Sequence, residues 1–213
     1  MKRSTILEIL VLLLCLACAT YFFVTAWTPW QRRNVVDIHI ERFDRVLDEY
    51  VSLGSNTALA RMNMEYPRPT KLLIEDVLKI GNINEPEIEK RLREYYLDST
   101  VQVLLDEVHR QYADVSDLEA AFNEAFAKRL QTDPDYKVPH IYTQVSCLRQ
   151  SILVSDTMIV ISLDKYLGAD FPLYKEYFSE EQRQQMTREN IVSDALQYYF
   201  TSIDSAALKP DGK

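Results

Sequence analysis

The chain has 213 residues and carries 24 lysines and arginines against 32 aspartates and glutamates, a formal net charge of −8 at pH 7. Lys2, Arg3 and Glu8 leave +1 on the first 27 residues and −9 on the rest; with no basic cluster there, nucleic acid is not an expected partner, because phosphate binding needs a basic surface. The length suits one globular domain with an appendage, and four glycines could hardly furnish a phosphate-cradling loop or a dinucleotide fingerprint.

The appendage comes first. From Ile9 to Trp27 the run ILVLLLCLACATYFFVTAW is uncharged and follows Lys2 and Arg3, the layout of a basic n-region and an apolar h-region. Residues 1–27 are read as a signal peptide, a lipoprotein signal or a membrane anchor. Leu16-Ala17-Cys18 supplies the small residue and cysteine of a lipoprotein processing step, which makes Cys18 the lipidation candidate, although Cys15 stands where leucine is usual. The same run is near the roughly 20 residues that span a bilayer, so an uncleaved anchor stays open. Lys2 and Arg3 on one side and Arg32 and Arg33 on the other leave the orientation rule nearly balanced. Each reading places the following domain outside the cytoplasm, and the lipoprotein and anchor readings tie it to the membrane through this segment, on the periplasmic side of the cell envelope.

After a linker at 28–36, residues 37–204 read as a single α+β domain. A helix is predicted from near Asp37, with Ile40, Phe43, Leu47 and Tyr50 on its apolar face. A second runs from Thr70, as N-cap, to Ile80, where Gly81 offers a left-handed stop. A third starts at Pro86 and carries Ile88, Leu92 and Tyr95. Asp98 or Ser99 recaps the next, with Val101, Leu104, Leu105, Val108 and Tyr112 as its stripe. Ser116-Asp117-Leu118-Glu119 reads as a capping box opening a helix through Phe122, Phe126 and Leu130.

The prolines of QTDPDYKVPHIYTQ break the helical period. HIYTQVSC, QSILVS and MIVISLD then read as a small antiparallel sheet, with Asp156-Thr157 as the turn of a hairpin. Ile159, Val160, Ile161 and Leu163 are apolar almost without alternation, as expected of a strand covered on both faces. At its exit Asp164 is expected to cap the following turn, Gly168 to take a positive φ, and Tyr166 and Leu167 to fold back onto the core. Short helices follow Pro172 and Ser179, and a last one, capped by Thr187, carries Ile191, Ala195, Tyr199 and Ile203. Residues 205–213 read as a disordered tail. The fold class is α+β, mostly helical, with the small sheet in the second half.

No chemistry announces itself. His39, His109 and His140 fall in no ligand spacing, so no metal and no cofactor is assigned. No nucleophile elbow is present, and Cys147, in an apolar strand-like run, reads as a buried small hydrophobe. The acid-rich EPEIEKRLREYYLDS is the pattern of a solvated helix.

Taken together, IHIERFDRVL, VPHIYTQVS, VISLDKYLGADFPLY and ENIVSDALQYYF resemble, in this order, the gliding-motility lipoprotein family GldB. The resemblance runs from about Val36 to Phe200. Its specific part is Ile161-Ser162-Leu163-Asp164, then Tyr166-Leu167-Gly168, then Asp170 and Tyr174, supported by Arg42 to Asp44 and by Pro139 to Thr143. The resemblance implies an envelope protein held by a lipidated cysteine and linked to gliding and type IX secretion, with partners among those components. It assigns no catalytic residue, so Asp164, Tyr166, Leu167, Gly168, Asp170 and Tyr174 enter as a structural or binding set. The chain ends soon after SDALQYYF, as a shortened or divergent member would. The alternative function is a degenerate or cryptic zincin-like hydrolase, whose zinc helix would be RENIVSDALQYYF, with Glu189 and Asp194 but no histidine.

Overall fold

The computed structural model describes residue 13 and residues 15–23, 37–155 and 157–207, with side chains to residue 203. The expected linker at 28–36, most of the leader and the tail at 208–213 lie outside the described residues. Contacts divide the chain into two units, residues 1–37 with 123–136, and residues 38–122 with 137–213.

In the first unit, residues 15–23 are helical and Cys15 and Cys18 are exposed. The Thr20 hydroxyl donates back to the carbonyls of Ala17 (2.9 Å) and Leu16 (3.0 Å). No helix among the described residues is long and apolar enough to cross a membrane. The unit also holds Phe126 stacked on Tyr136, with Arg129 5.0 Å above the same ring.

The second unit is built on a four-stranded sheet in the order β1-β2-β4-β3, formed by β1 (Ile40–Glu41), β2 (His140–Gln144), β3 (Ile152–Ser155) and β4 (Met158–Ser162). The expected hairpin is present as β3 and β4, with Ser155 paired to Met158 across its end; of the two residues expected at its turn, Asp156 lies outside the described residues. The expectation of a wholly antiparallel sheet needs correction: β1 runs parallel to β2, and β2 parallel to β4. Strand composition reports burial but not direction, and here the chain crosses from β2 over β4 before returning to it through β3. Hence β4 is interior, and all five of its residues are buried, which is what its unbroken apolar run requires.

Helix α1 (Phe43–Leu53) starts six residues later than its periodicity implies. Residues Ile38 and Ile40 alternate rather than follow a helical period, and the Ile40 N–H donates to Glu119 Oε1 (2.9 Å). That contact also takes Glu119 from the predicted capping box; Asp114 receives the Ser116 N–H (3.0 Å) instead, at the start of α6 (Ser116–Thr132). Helix α2 (Asn56–Met64), capped by Ser55, has too weak an apolar face to stand out in the sequence. Helix α3 (Pro67–Lys71) passes into a π-helical segment, Leu72–Leu78. Thr70 is no cap: it is buried, and its hydroxyl donates to Met62 O (3.0 Å). Lys79, with φ of 55°, makes the left-handed stop expected of Gly81.

Helices α4 (Ile88–Tyr96) and α5 (Ser99–Gln111) follow, and Asp98 caps the second through the Thr100 N–H (2.8 Å). Val101, Leu104, Leu105 and Val108 bury the expected stripe. Helices α7 (Tyr174–Tyr177), α8 (Glu180–Gln185) and α9 (Ile191–Ala207) close the chain. Helix α9 buries Ile191, Ala195 and Tyr199, packs against β3 and β4, and runs to Ala207, past the expected end at residue 204.

Candidate functional site

Strand β4 ends at Ser162, and one 3-10 turn over Leu163–Lys165 swings the Asp164 side chain inward, where it is fully buried. It does not cap the turn that follows it, as the sequence suggests. It reaches back across the sheet end to the loop after β2, accepting from Ser146 N–H at Oδ1 (2.7 Å) and from Leu148 N–H at Oδ2 (2.6 Å). Ser146 Oγ lies 3.3 Å from both carboxylate oxygens and donates to Gln150 O at 3.0 Å.

That loop holds two successive non-glycine residues in the left-handed region, Cys147 at φ 56° and Leu148 at φ 62°. Each costs on the order of 1–2 kcal/mol of steric strain, so the loop needs an external tie. Backbone amides converging from such a turn form an anion nest; here the occupant is the chain's own carboxylate. Burial pushes the Asp164 pKa up, and the amides of Leu148 and Ser146 pull against that rise. Burial, then the nearby Asp164 charge, raises the Cys147 thiol well above the ordinary range; a thiol so raised is a poor nucleophile.

The rest of the motif ties down the segment after the turn. The Tyr174 hydroxyl donates to Asp164 O (2.6 Å) and accepts from Leu167 N–H (2.9 Å). Gln111 Nε2 donates to Leu167 O (2.9 Å), and the Tyr112 hydroxyl to Tyr166 O (2.5 Å). Tyr166, Leu167 and Tyr174 are buried, as expected of a segment folded onto the core. Gly168 has the positive φ read from the sequence, 102°, and its N–H donates to Met186 O (3.0 Å). Asp170 is exposed beyond it. Tyr166 carries its hydroxyl to Asp194 Oδ2 on α9 (2.9 Å), and burial raises its phenol.

The two supporting motif stretches also meet. Arg42 clasps Asp44 through Nε (2.9 Å) and a terminal nitrogen (2.7 Å), and the buried Thr143 hydroxyl donates to Asp44 Oδ1 at 2.5 Å. This bond ties α1 to β2. No spacing in the sequence points to it, because 99 residues separate the partners.

A cleft of about 610 Å³ lies beside the motif, lined by Ser151, Lys165, Tyr166, Phe178, Met186 and Asp194 among others. Lys165 Nζ stands 4.0 Å above the Phe178 ring, and burial lowers its pKa. A second cleft, of about 810 Å³, lies between Tyr95, Leu104, Leu148 and Phe178. The zinc reading finds no support in the residues of α9. Asp194 is engaged by Tyr166, α9 has no histidine, and among the described residues no group of three histidines, cysteines or carboxylates could hold a metal ion.

A protein-family model described as gliding motility protein GldB matches residues 26–209, most of the chain. No curated protein and no solved structure matches it.

Proposed function

The chain belongs to the gliding motility protein GldB family, and on that premise we propose that it is a non-enzymatic lipoprotein of the cell envelope. Cys18 carries the lipid, the domain sits on the periplasmic side, and the protein serves gliding and type IX secretion as an accessory component acting through protein partners.

One observation carries the non-enzymatic part. The polar atoms of the two buried motif residues Asp164 and Tyr174 are spent on the fold itself: both Asp164 oxygens hold amides of the 146–148 loop, and the Tyr174 hydroxyl is used as donor and as acceptor. A general acid or base has to keep a lone pair or proton within reach of a substrate; these groups have theirs turned inward. They serve as framework, and the surface they support does the work.

The test compares the wild-type chain with Cys18→Ser in its own host, by labelling with a fatty-acid analogue, fractionation, and pull-down from solubilised membranes. The expected result is label and membrane retention in the wild type, neither in the variant, and recovery of a defined motility or secretion component. Intact chain dissolved in the cytosol overturns the localisation, and one equivalent of zinc in the purified protein overturns the non-enzymatic reading.

A further inference from the structure

Helix α9 has two faces. Ile191, Ala195 and Tyr199 are buried, and the helix packs on β3 and β4. Asp194, Gln197, Tyr198 and Thr201 instead line the 610 Å³ cleft, at the i, i+3, i+4, i+7 spacing that gathers side chains on one side of a helix. Three of the four are polar, and Tyr198 leaves 54% of its surface in solvent, although an aromatic body of that size is ordinarily a packing group. Gln185 of α8, the Phe178 ring and the motif residues Lys165 and Tyr166 complete the walls that matter here.

The hydrogen-bonding groups of this lining are mostly neutral. Tyr166 donates to Asp194 Oδ2 (2.9 Å), and the Ser151 side chain hydrogen-bonds the same phenol. Asp194 Oδ1 is left as an acceptor with no partner among the described residues, and the side-chain amides of Gln185 and Gln197 have none there either. Lys165 and Asp194 are the charged residues of the lining, one of each sign. Lys165 is already taken up by the Phe178 ring (4.0 Å) and by Leu148 O (3.4 Å), so the cleft offers no open cation to a phosphate or a carboxylate.

We propose that this cleft binds a neutral saccharide, with Gln185, Gln197 and Asp194 hydrogen-bonding its hydroxyls and Tyr198 and Phe178 covering the apolar face of a sugar ring. An amide side chain offers donors and an acceptor, and a sugar hydroxyl, which also does both, answers either. Asp194 Oδ1 takes a hydroxyl proton, and an aromatic ring gives the C–H face of the sugar an apolar surface to rest on. The volume falls within the about 300–1,000 Å³ of small-molecule sites. A hydrocarbon chain suits the lining less well, because it would cover those amides and the carboxylate without pairing them. A polypeptide meets side-chain groups here rather than the row of backbone donors and acceptors that an extended segment needs.

The site is independent of the lipid and of the protein partners proposed above, and a test on purified protein is blind to both. The full-length chain in phosphocholine micelles, which carry no sugar headgroup, is screened by saturation-transfer NMR against pooled neutral di- to tetrasaccharides of hexoses and N-acetylhexosamines. Trialanine and glucose 6-phosphate serve as the charged controls, and the binder found is titrated by calorimetry. At least one neutral saccharide is expected to bind. Tyr198→Ala weakens it about tenfold and Gln197→Ala several-fold, each with an unchanged melt, because both residues are exposed. A diazirine derivative of the binder, photolysed on the wild-type chain, labels the segment from Phe178 to Thr201, a result that needs no variant to fold. Absence of binding by every neutral saccharide overturns the proposal, as does labelling confined to another part of the chain or an affinity that survives both substitutions. Tighter binding of trialanine or of glucose 6-phosphate, lost in Tyr198→Ala, overturns the choice of ligand.

Discussion

Asp164→Ala is the sharpest test of the view that the motif is framework. The substitution leaves the amides of Ser146 and Leu148 facing an empty, buried position, 2.7 and 2.6 Å from where the acceptors stood. An orphaned buried donor costs about 1–3 kcal/mol, so two cost about 4 kcal/mol. The strain of Cys147 and Leu148 loses its tie at the same time. Removing a carboxylate whose burial is itself unfavourable returns part of this, and about 3–4 kcal/mol remains. At about 2–4 °C per kcal/mol for a domain of about 150–250 residues, the melting temperature falls by about 10 °C. Asp164→Asn keeps one acceptor and turns an NH2 group toward the other amide, for about half that loss. Thermal melts followed by far-UV circular dichroism, on the full chain in detergent, read both values. Melting within about 2 °C of wild type, together with loss of function in the host, would refute the reasoning and make Asp164 a site residue.

Thr143→Val removes the hydroxyl that the buried Asp44 accepts at nearly constant volume; urea denaturation should show a loss of about 1.5–3 kcal/mol, the range for a bond to a charged group. Gly168→Ala meets no atom within 4 Å, so its cost is the left-handed backbone alone, about 1–2 kcal/mol in the same assay. Asp117 has its pKa lowered, chiefly by the Arg188 hydrogen bond, so its stabilisation is complete above the unfolded value of 3.8 and drains away as pH falls through the lower folded one. Asp117→Asn should therefore melt below wild type at pH 7, by a difference that narrows steadily once the pH drops under 3.8.

Burial was the legible part of this chain, and partnership was not. The run Ile159 to Leu163 states that its strand is interior, because no solvent-facing strand is apolar at every position. Asp156-Thr157 states that a hairpin follows β3. Neither says that β2 lies parallel to β4, since direction depends on the path between them. Thr70 has the right identity for a cap and the right place before an apolar run, yet its hydroxyl finds Met62 O; a local rule lost to a contact made eight residues back. In the site, Asp164 was visible as a polar residue at a strand's exit. Its partners are backbone amides of Ser146 and Leu148, and an amide carries no side-chain signature. Asp44 and Thr143 were each quoted within a motif stretch, but only the folded sheet brings them to one bond.

The first strand of this sheet has a consequence for how the chain is made. Ile40 is paired with Ile141, so a polypeptide emerging from the ribosome in order presents β1 long before its neighbour exists. Contacts so distant in sequence slow folding, because the intervening loop has to be closed before they repay it. Helices such as α1 and α5 can form early from local interactions, but the sheet that joins them waits for the last third of synthesis. Until then the nascent protein stays pliable, a state in which it can still be threaded through a narrow channel.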